Sequence, residues 1–191
     1  MILSLAFSLG FYYNVNYTQI HTTSISPTTV KVHSIDSKKI TYDEKQLLYR
    51  WCKFYAKKNV SDTDIMDIVD NAYRYSDYPL LLLSIISVES NFDKNAKSSK
   101  GALGLMQVMP LWISEFKNTL NIKTKKDLKK IRNNIRAGDY IISYYTQKEG
   151  NLSDGLNEYV NGSSAYVKKV LTRYADITFY LKFGMRYNDK Y

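Results

Sequence analysis

Cys52 is the sole cysteine of the chain, so no intramolecular disulfide can form and a disulfide-stapled scaffold is excluded. Its place on an apolar helical face marks it as a buried structural thiol. Histidine is nearly as scarce: His21 and His33 both precede residue 40. That leaves no ligand cluster for a metal and no histidine-based catalytic apparatus, and no cofactor is expected. Runs of period-two alternation are missing, as are internal repeats, which argues against a sheet protein or a solenoid. No charged side chain occurs before Lys31. The apolar stretch there, Met1 to Tyr13, has the length of a signal-peptide core and is short of the about 20 residues that span a membrane. It also lacks a basic start and a small-x-small cleavage site. Residues 1–15 are therefore expected to be a signal or membrane-anchor segment, with a buried N-terminal helix as the alternative. Residues 16–40, rich in Thr, Ser and Asn and containing Pro27, are expected to be a linker.

What remains, residues 41–191, is long enough for one hydrophobic core. Its apolar residues recur at helical spacing. Leu47, Leu48, Trp51, Cys52 and Tyr55 share a face, as do Ile65, Ile68, Val69, Ala72 and Tyr73. Ser61 to Asp64 reads as the cap of the second stripe. Ile131, Ile135, Gly138, Ile142 and Tyr145 form a third, and Tyr166, Val167, Val170, Leu171 and Tyr174 a fourth. The pattern predicts a mainly α domain with helices near 43–58, 62–75, 79–90, 101–109, 112–120, 132–149 and 163–175.

The most informative residue is Glu89, which ends the apolar run Pro79-Leu-Leu-Leu-Leu-Ser-Ile-Ile-Ser-Val-Glu89. A carboxylate set against hydrocarbon is penalised in its charged form and holds its proton to higher pH, as a general acid must. A glutamate at a helix end that points into water is the bland alternative. Asp93, four residues on, falls in the following loop, where a turn-forming role suits it.

The chain continues Glu89-Ser-Asn-Phe-Asp-Lys-Asn-Ala-Lys-Ser98, then Gly101-Ala-Leu-Gly104-Leu-Met-Gln107-Val-Met-Pro110. This segment resembles the catalytic segment of lytic transglycosylases of the soluble (SLT) type, lysozyme-like enzymes that cut the glycan strands of peptidoglycan. Asn134-Ile-Arg-Ala-Gly138 and Tyr166-Val-Lys-Lys-Val170 resemble later patterns of the same family, so the likeness covers about residues 75–175. Where the family usually shows Ala-Tyr-Asn-x-Gly, this chain has Glu158-Tyr159-Val160-Asn161-Gly162. Val160 thus removes a donor and an acceptor, and Asn161 is a candidate to replace them.

The resemblance implies a lysozyme-like fold and a cut between N-acetylmuramic acid and N-acetylglucosamine without water. Glu89 would protonate the leaving oxygen and then accept a proton from the muramyl C6 hydroxyl, giving a 1,6-anhydro end. Hydrolysis by a goose-type-like muramidase and a degenerate glycan-binding protein are the alternatives. Ser98, Gly104, Leu105, Met106, Gln107 and Tyr159 are carried over as substrate-binding candidates, with Ser90, Gly101, Tyr140 and Asn161 as further ones. Each also has a structural reading. The serines suit helix or turn caps, the glycines suit turns, and Leu105, Met106, Val108 and Met109 suit core or cleft wall. Of the 18 tyrosines most must be core or rim. Among Tyr140, Tyr144 and Tyr145 one is expected inward and one near the cleft, while Tyr166 is read as packing.

Net charge is +9, with a local excess in Lys123 to Arg132. Such a surface attracts anionic envelope polymers or membranes, or is a solvated helix face. No nucleic-acid-binding module accompanies it, so no nucleic-acid partner is expected. The resemblance implies an enzyme on peptidoglycan strands, placed in the cell envelope or secreted; a monomer is expected, and the apolar residues 1–15 are a candidate membrane contact.

Overall fold

Local capping signals define where the helices begin. In the computed structural model, which describes residues 40–160 and 162–184, Thr41 opens α1 (Tyr42–Tyr55) with a capping box that Glu44 closes. Ser61 caps α2 (Asp62–Tyr75) by accepting from the Asp64 N–H, as the sequence suggested. Pro79 sits in the first turn of α3 (Pro79–Glu89), where its missing N–H costs nothing. This helix is apolar on every side, and Leu81 to Ser87 are all buried; such a helix can only be central.

After a long loop and a 3-10 turn at Pro110–Trp112 come α4 (Ile113–Thr119), α5 (Lys125–Leu128) and α6 (Ile131–Glu149). Gly150, in the left-handed conformation at φ 78°, ends α6. Asn151 then caps α7 (Leu152–Tyr159), and Ser163 caps α8 (Ser164–Phe183). Helix α6 packs on α7 and α2, and α3 packs on α8 and α2, while α1 reaches α2, α3 and α8. Trp51, Phe92, Phe116 and Met106 are among the largest side chains wholly buried between them. Each such side chain contributes about 1.5–3 kcal/mol relative to exposure.

The mainly α, lysozyme-like expectation holds, and the described residues contain no strand beyond isolated bridges. Several local expectations fail. Residues 101–109 form no helix, because Gly101, Gly104 and Gln107 take φ of 90°, 76° and 47°, which breaks any helical run. Helices α5 and α7 were not anticipated, and α8 runs to Phe183 instead of ending near 175. The expected signal or anchor segment 1–15, nearly all of the expected linker 16–40 and Asn161 lie outside the described residues. No helix among the described residues is long and apolar enough to cross a membrane.

Candidate active site

Glu89 is the last residue of α3, at the point where the buried helix reaches the surface. Its side chain is half-buried. Burial raises its pKa above the ordinary carboxyl value, and a hydrogen bond from Tyr166 and the nearby Lys169 ammonium only partly oppose that rise. Tyr166, in the first turn of α8, donates its hydroxyl to Glu89 Oε1 at 2.5 Å. Burial, and then the charge of Glu89, push the Tyr166 phenol far up, so it stays protonated and remains a donor. Tyr159 lies close enough for Glu89 to raise its pKa as well, after burial, and its hydroxyl donates to the Met106 carbonyl at 2.6 Å. The carboxyl is thus flanked by two neutral phenols. Burial raises the Glu89 pKa, whereas the Tyr166 hydrogen bond favours the carboxylate form.

The chain leaves α3 through a tight turn. Asn91 and Phe92 adopt φ of 50° and 63°, and a left-handed residue other than glycine costs on the order of 1–3 kcal/mol. Wholly buried Phe92 anchors this turn. Asp93 is tied to Lys57 at 2.9 Å and accepts from the Asn95 N–H at 2.8 Å. Burial acts to raise its pKa, and these partners more than reverse that, so Asp93 is held as a charged, turn-forming residue.

The loop that follows is a folded-back ribbon, with Leu103 bridging to Lys97 on one side and Val108 on the other. Ser98 clips it by accepting from the Ala102 N–H at 3.0 Å. Gln107 donates its amide to the Gly104 carbonyl at 2.8 Å. The deepest fastening comes from α6. Asn134, with no exposed surface, accepts from the Met106 N–H at 2.8 Å and donates to the carbonyls of Leu103 at 2.9 Å and Leu128 at 2.6 Å. It fits only because Gly104 has no side chain: a Cβ there would lie 2.4 Å from Asn134 Nδ2. Gly138 likewise makes room for Met106, whose sulfur would be 2.3 Å from a Cβ. Met106 is therefore fixed by α6 at both backbone and side chain, and it in turn holds Tyr159 beside Glu89.

A sequence model described as Transglycosylase SLT domain matches residues 67–180, well over half of the chain. The chain belongs to the SLT transglycosylase family. Membership supports transglycosylase activity on peptidoglycan. Searches of curated proteins and of solved structures returned no match. The SLT match takes in most of α2, every element from α3 to α7 and most of α8, and leaves α1 upstream.

Within this SLT domain the candidate residues divide into groups. Glu89 and Tyr159 come together, while Gly101, Gly104 and Gln107 shape the adjoining loop. Leu105 and Met106 are wholly buried, so they back the wall from behind and offer no surface to a glycan, contrary to their assignment as substrate contacts. Ser90 donates to the Ile86 carbonyl at the end of α3, and Ser98 clips its own loop. For both serines this is the capping alternative. Tyr140 is buried and donates to Glu115 at 2.8 Å, and Tyr144 and Tyr145 pack edge-on against Trp112. The reading of Tyr166 as packing is corrected, since its hydroxyl meets Glu89. Its match to the family's Tyr-Val-x-x-Val pattern was the signal available. Among the described residues no group of His, Cys, Asp or Glu side chains could hold a metal.

Proposed function

We propose that the enzyme cleaves the bond between N-acetylmuramic acid and N-acetylglucosamine by non-hydrolytic transglycosylation, with Glu89 as acid and then base. The observation that carries this is a half-buried carboxyl with a raised pKa, hydrogen-bonded by Tyr166 and set beside the folded loop. In the first step the Glu89 proton goes to the leaving glycosidic oxygen as the C1–O bond breaks. The muramyl C6 oxygen then bonds to C1, and its proton passes to the Glu89 carboxylate, which restores the acid. Tyr166 supports the intermediate carboxylate by donating to it. No second carboxylate is required, in agreement with Asp93 being committed to Lys57 and Asn95.

Gln107 and Tyr159, with the backbone of Gly101, are proposed to line the glycan path, and buried Gly104 to shape the loop behind them. Asn161 remains a candidate contact beside Val160. A peptidoglycan substrate and the apolar residues 1–15 together support placement in the envelope or outside it, with residues 41–191 as the catalytic unit and 16–40 as its tether. The decisive experiment digests purified peptidoglycan with the wild-type protein and Glu89→Gln. Products lighter by one water than hydrolytic fragments are expected from wild type, and none from a folded Glu89→Gln. Reducing ends would point to a muramidase. Glycan binding without cleavage by wild type would point to a degenerate binder, which Val160 makes worth testing.

A further inference from the structure

The SLT match begins at Asp67, yet the support of Glu89 begins earlier. Trp51 on α1 touches both structures that carry the Glu89–Tyr166 pair. Its ring meets Phe92 edge-on, 6.4 Å between centroids at 84°, and Phe92 lies in the turn three residues after Glu89. Its Nε1 donates to Asp176 Oδ2 at 2.9 Å, and Asp176 lies on α8, about 15 Å along the helix axis from Tyr166. Tyr55 donates its hydroxyl to the same Asp176 oxygen at 2.6 Å and packs against Trp51, with the Arg173 guanidinium 3.8 Å over its ring. Asp176 is only 7% exposed, and these donors help to make its burial tolerable. The backbone after α1 grips the turn directly. The Lys57 N–H donates to the Asn91 carbonyl at 3.0 Å, and the Asn91 amide donates to the Tyr55 carbonyl at 3.1 Å. Left-handed residues such as Asn91 and Phe92 persist only where their surroundings over-determine them, and α1 supplies those surroundings.

We propose that α1 is a positioning clamp of the active site: Trp51 and Tyr55, acting through Phe92 and Asp176, set Glu89 on α3 against Tyr166 on α8. The clamp rests on the reading in which Tyr166 assists Glu89. Trp51 and Tyr55 are positioning residues, and the substrate does not meet them.

A double-mutant cycle in the full-length protein tests the clamp, using Tyr55→Phe, Tyr166→Phe and their combination on soluble peptidoglycan oligosaccharides. Tyr55→Phe should lower kcat about tenfold with KM changed less than about twofold, because a small misplacement of reacting groups is costly. In the Tyr166→Phe background the same change should cost less than about twofold, since the contact it protects is already gone. The Tm loss from Tyr55→Phe should be alike in both backgrounds. Equal losses of kcat in both backgrounds, or activity that tracks only the folded fraction, would overturn the clamp. If Tyr55→Phe fails to fold, Asn91→Gly, which tolerates the same φ and removes the amide donor without adding a charge, enters the same cycle. If Glu89→Gln and Tyr166→Phe both cleave at the wild-type rate, the catalytic reading itself fails. If they impair cleavage and the cycle is additive, the clamp alone fails.

Discussion

Replacing Gly104 with alanine tests whether α6 truly holds the loop. The residue has φ of 76°, and a left-handed alanine costs about 1–2 kcal/mol. The added Cβ would also lie 2.4 Å from Asn134 Nδ2 and 2.8 Å from its Cγ, so Asn134 must move. It is wholly buried and cannot exchange its partners for water. Displacing it endangers the bonds to Met106, Leu103 and Leu128, and each buried group left unpaired costs about 1–3 kcal/mol. Counting the backbone strain and one or two lost bonds, Gly104→Ala should lose about 2–8 kcal/mol. Gly101→Ala is the internal control. It has φ of 90° but no atom within 4 Å of the new Cβ, so it should lose only the about 1–2 kcal/mol of backbone strain. Urea unfolding followed by circular dichroism measures both, and muropeptide release from peptidoglycan at equal folded fraction measures function. Gly104→Ala should release far less than Gly101→Ala, because a shifted Met106 carbonyl no longer holds Tyr159. Equal stability and equal activity of the two variants would refute the argument.

Two further outcomes follow from the electrostatics. Burial raises the Glu89 pKa and the Tyr166 hydrogen bond opposes the rise, so Tyr166→Phe should raise it further, with Tyr159 and Lys169 still facing it. Because the protonated form starts the reaction, the alkaline limb of kcat should move to higher pH while the plateau falls; an unmoved limb would show that the bond is absent in solution. Asp139 is raised from 3.8 to about 6 by burial, with Asp77 adding and a Ser76 hydrogen bond opposing. The folded state therefore holds this proton more tightly than the unfolded chain, and stability should fall as pH rises from about 4 through about 6, by at most about 3 kcal/mol. Asp139→Asn should flatten that window and be the more stable protein at pH 7 to 8, as read from urea midpoints at several pH values. An unchanged pH dependence would place the titration elsewhere.

Much of the scaffold was readable because its signals are local. The stripes of α1 and α2, the Ser61 cap and the run of α3 with Glu89 at its end all follow from spacing alone. Residues 101–109 misled because their apolar content, Leu103, Leu105, Met106 and Val108, is buried in a turn as fully as in a helix. The left-handed angles that decide between the two are encoded only by Gly101 and Gly104, with Gln107 forced to follow. Tyr166 was misread because an aromatic at helical spacing has the same pattern whether its hydroxyl is idle or bonded to an acid seventy-seven residues away. Asn134 stands out through the Asn-x-x-Ala-Gly pattern, but spacing does not announce its partners on Leu103, Met106 and Leu128. Helix α7 carries a cap in Asn151 to Asp154, but its eight residues are too few for a periodic apolar stripe to mark it.

The grip of Asn134 and Gly138 on Met106 bears on any attempt to move this chemistry to another scaffold. A transplant of the segment from Glu89 to Pro110 would carry the acid but not the mould that shapes its neighbour. The amide and the bare backbone forty-odd residues downstream would have to travel with it, as a matched pair on a helix of the same pitch. A substitution at position 134 or 138 would disturb Met106 from a place buried inside the fold.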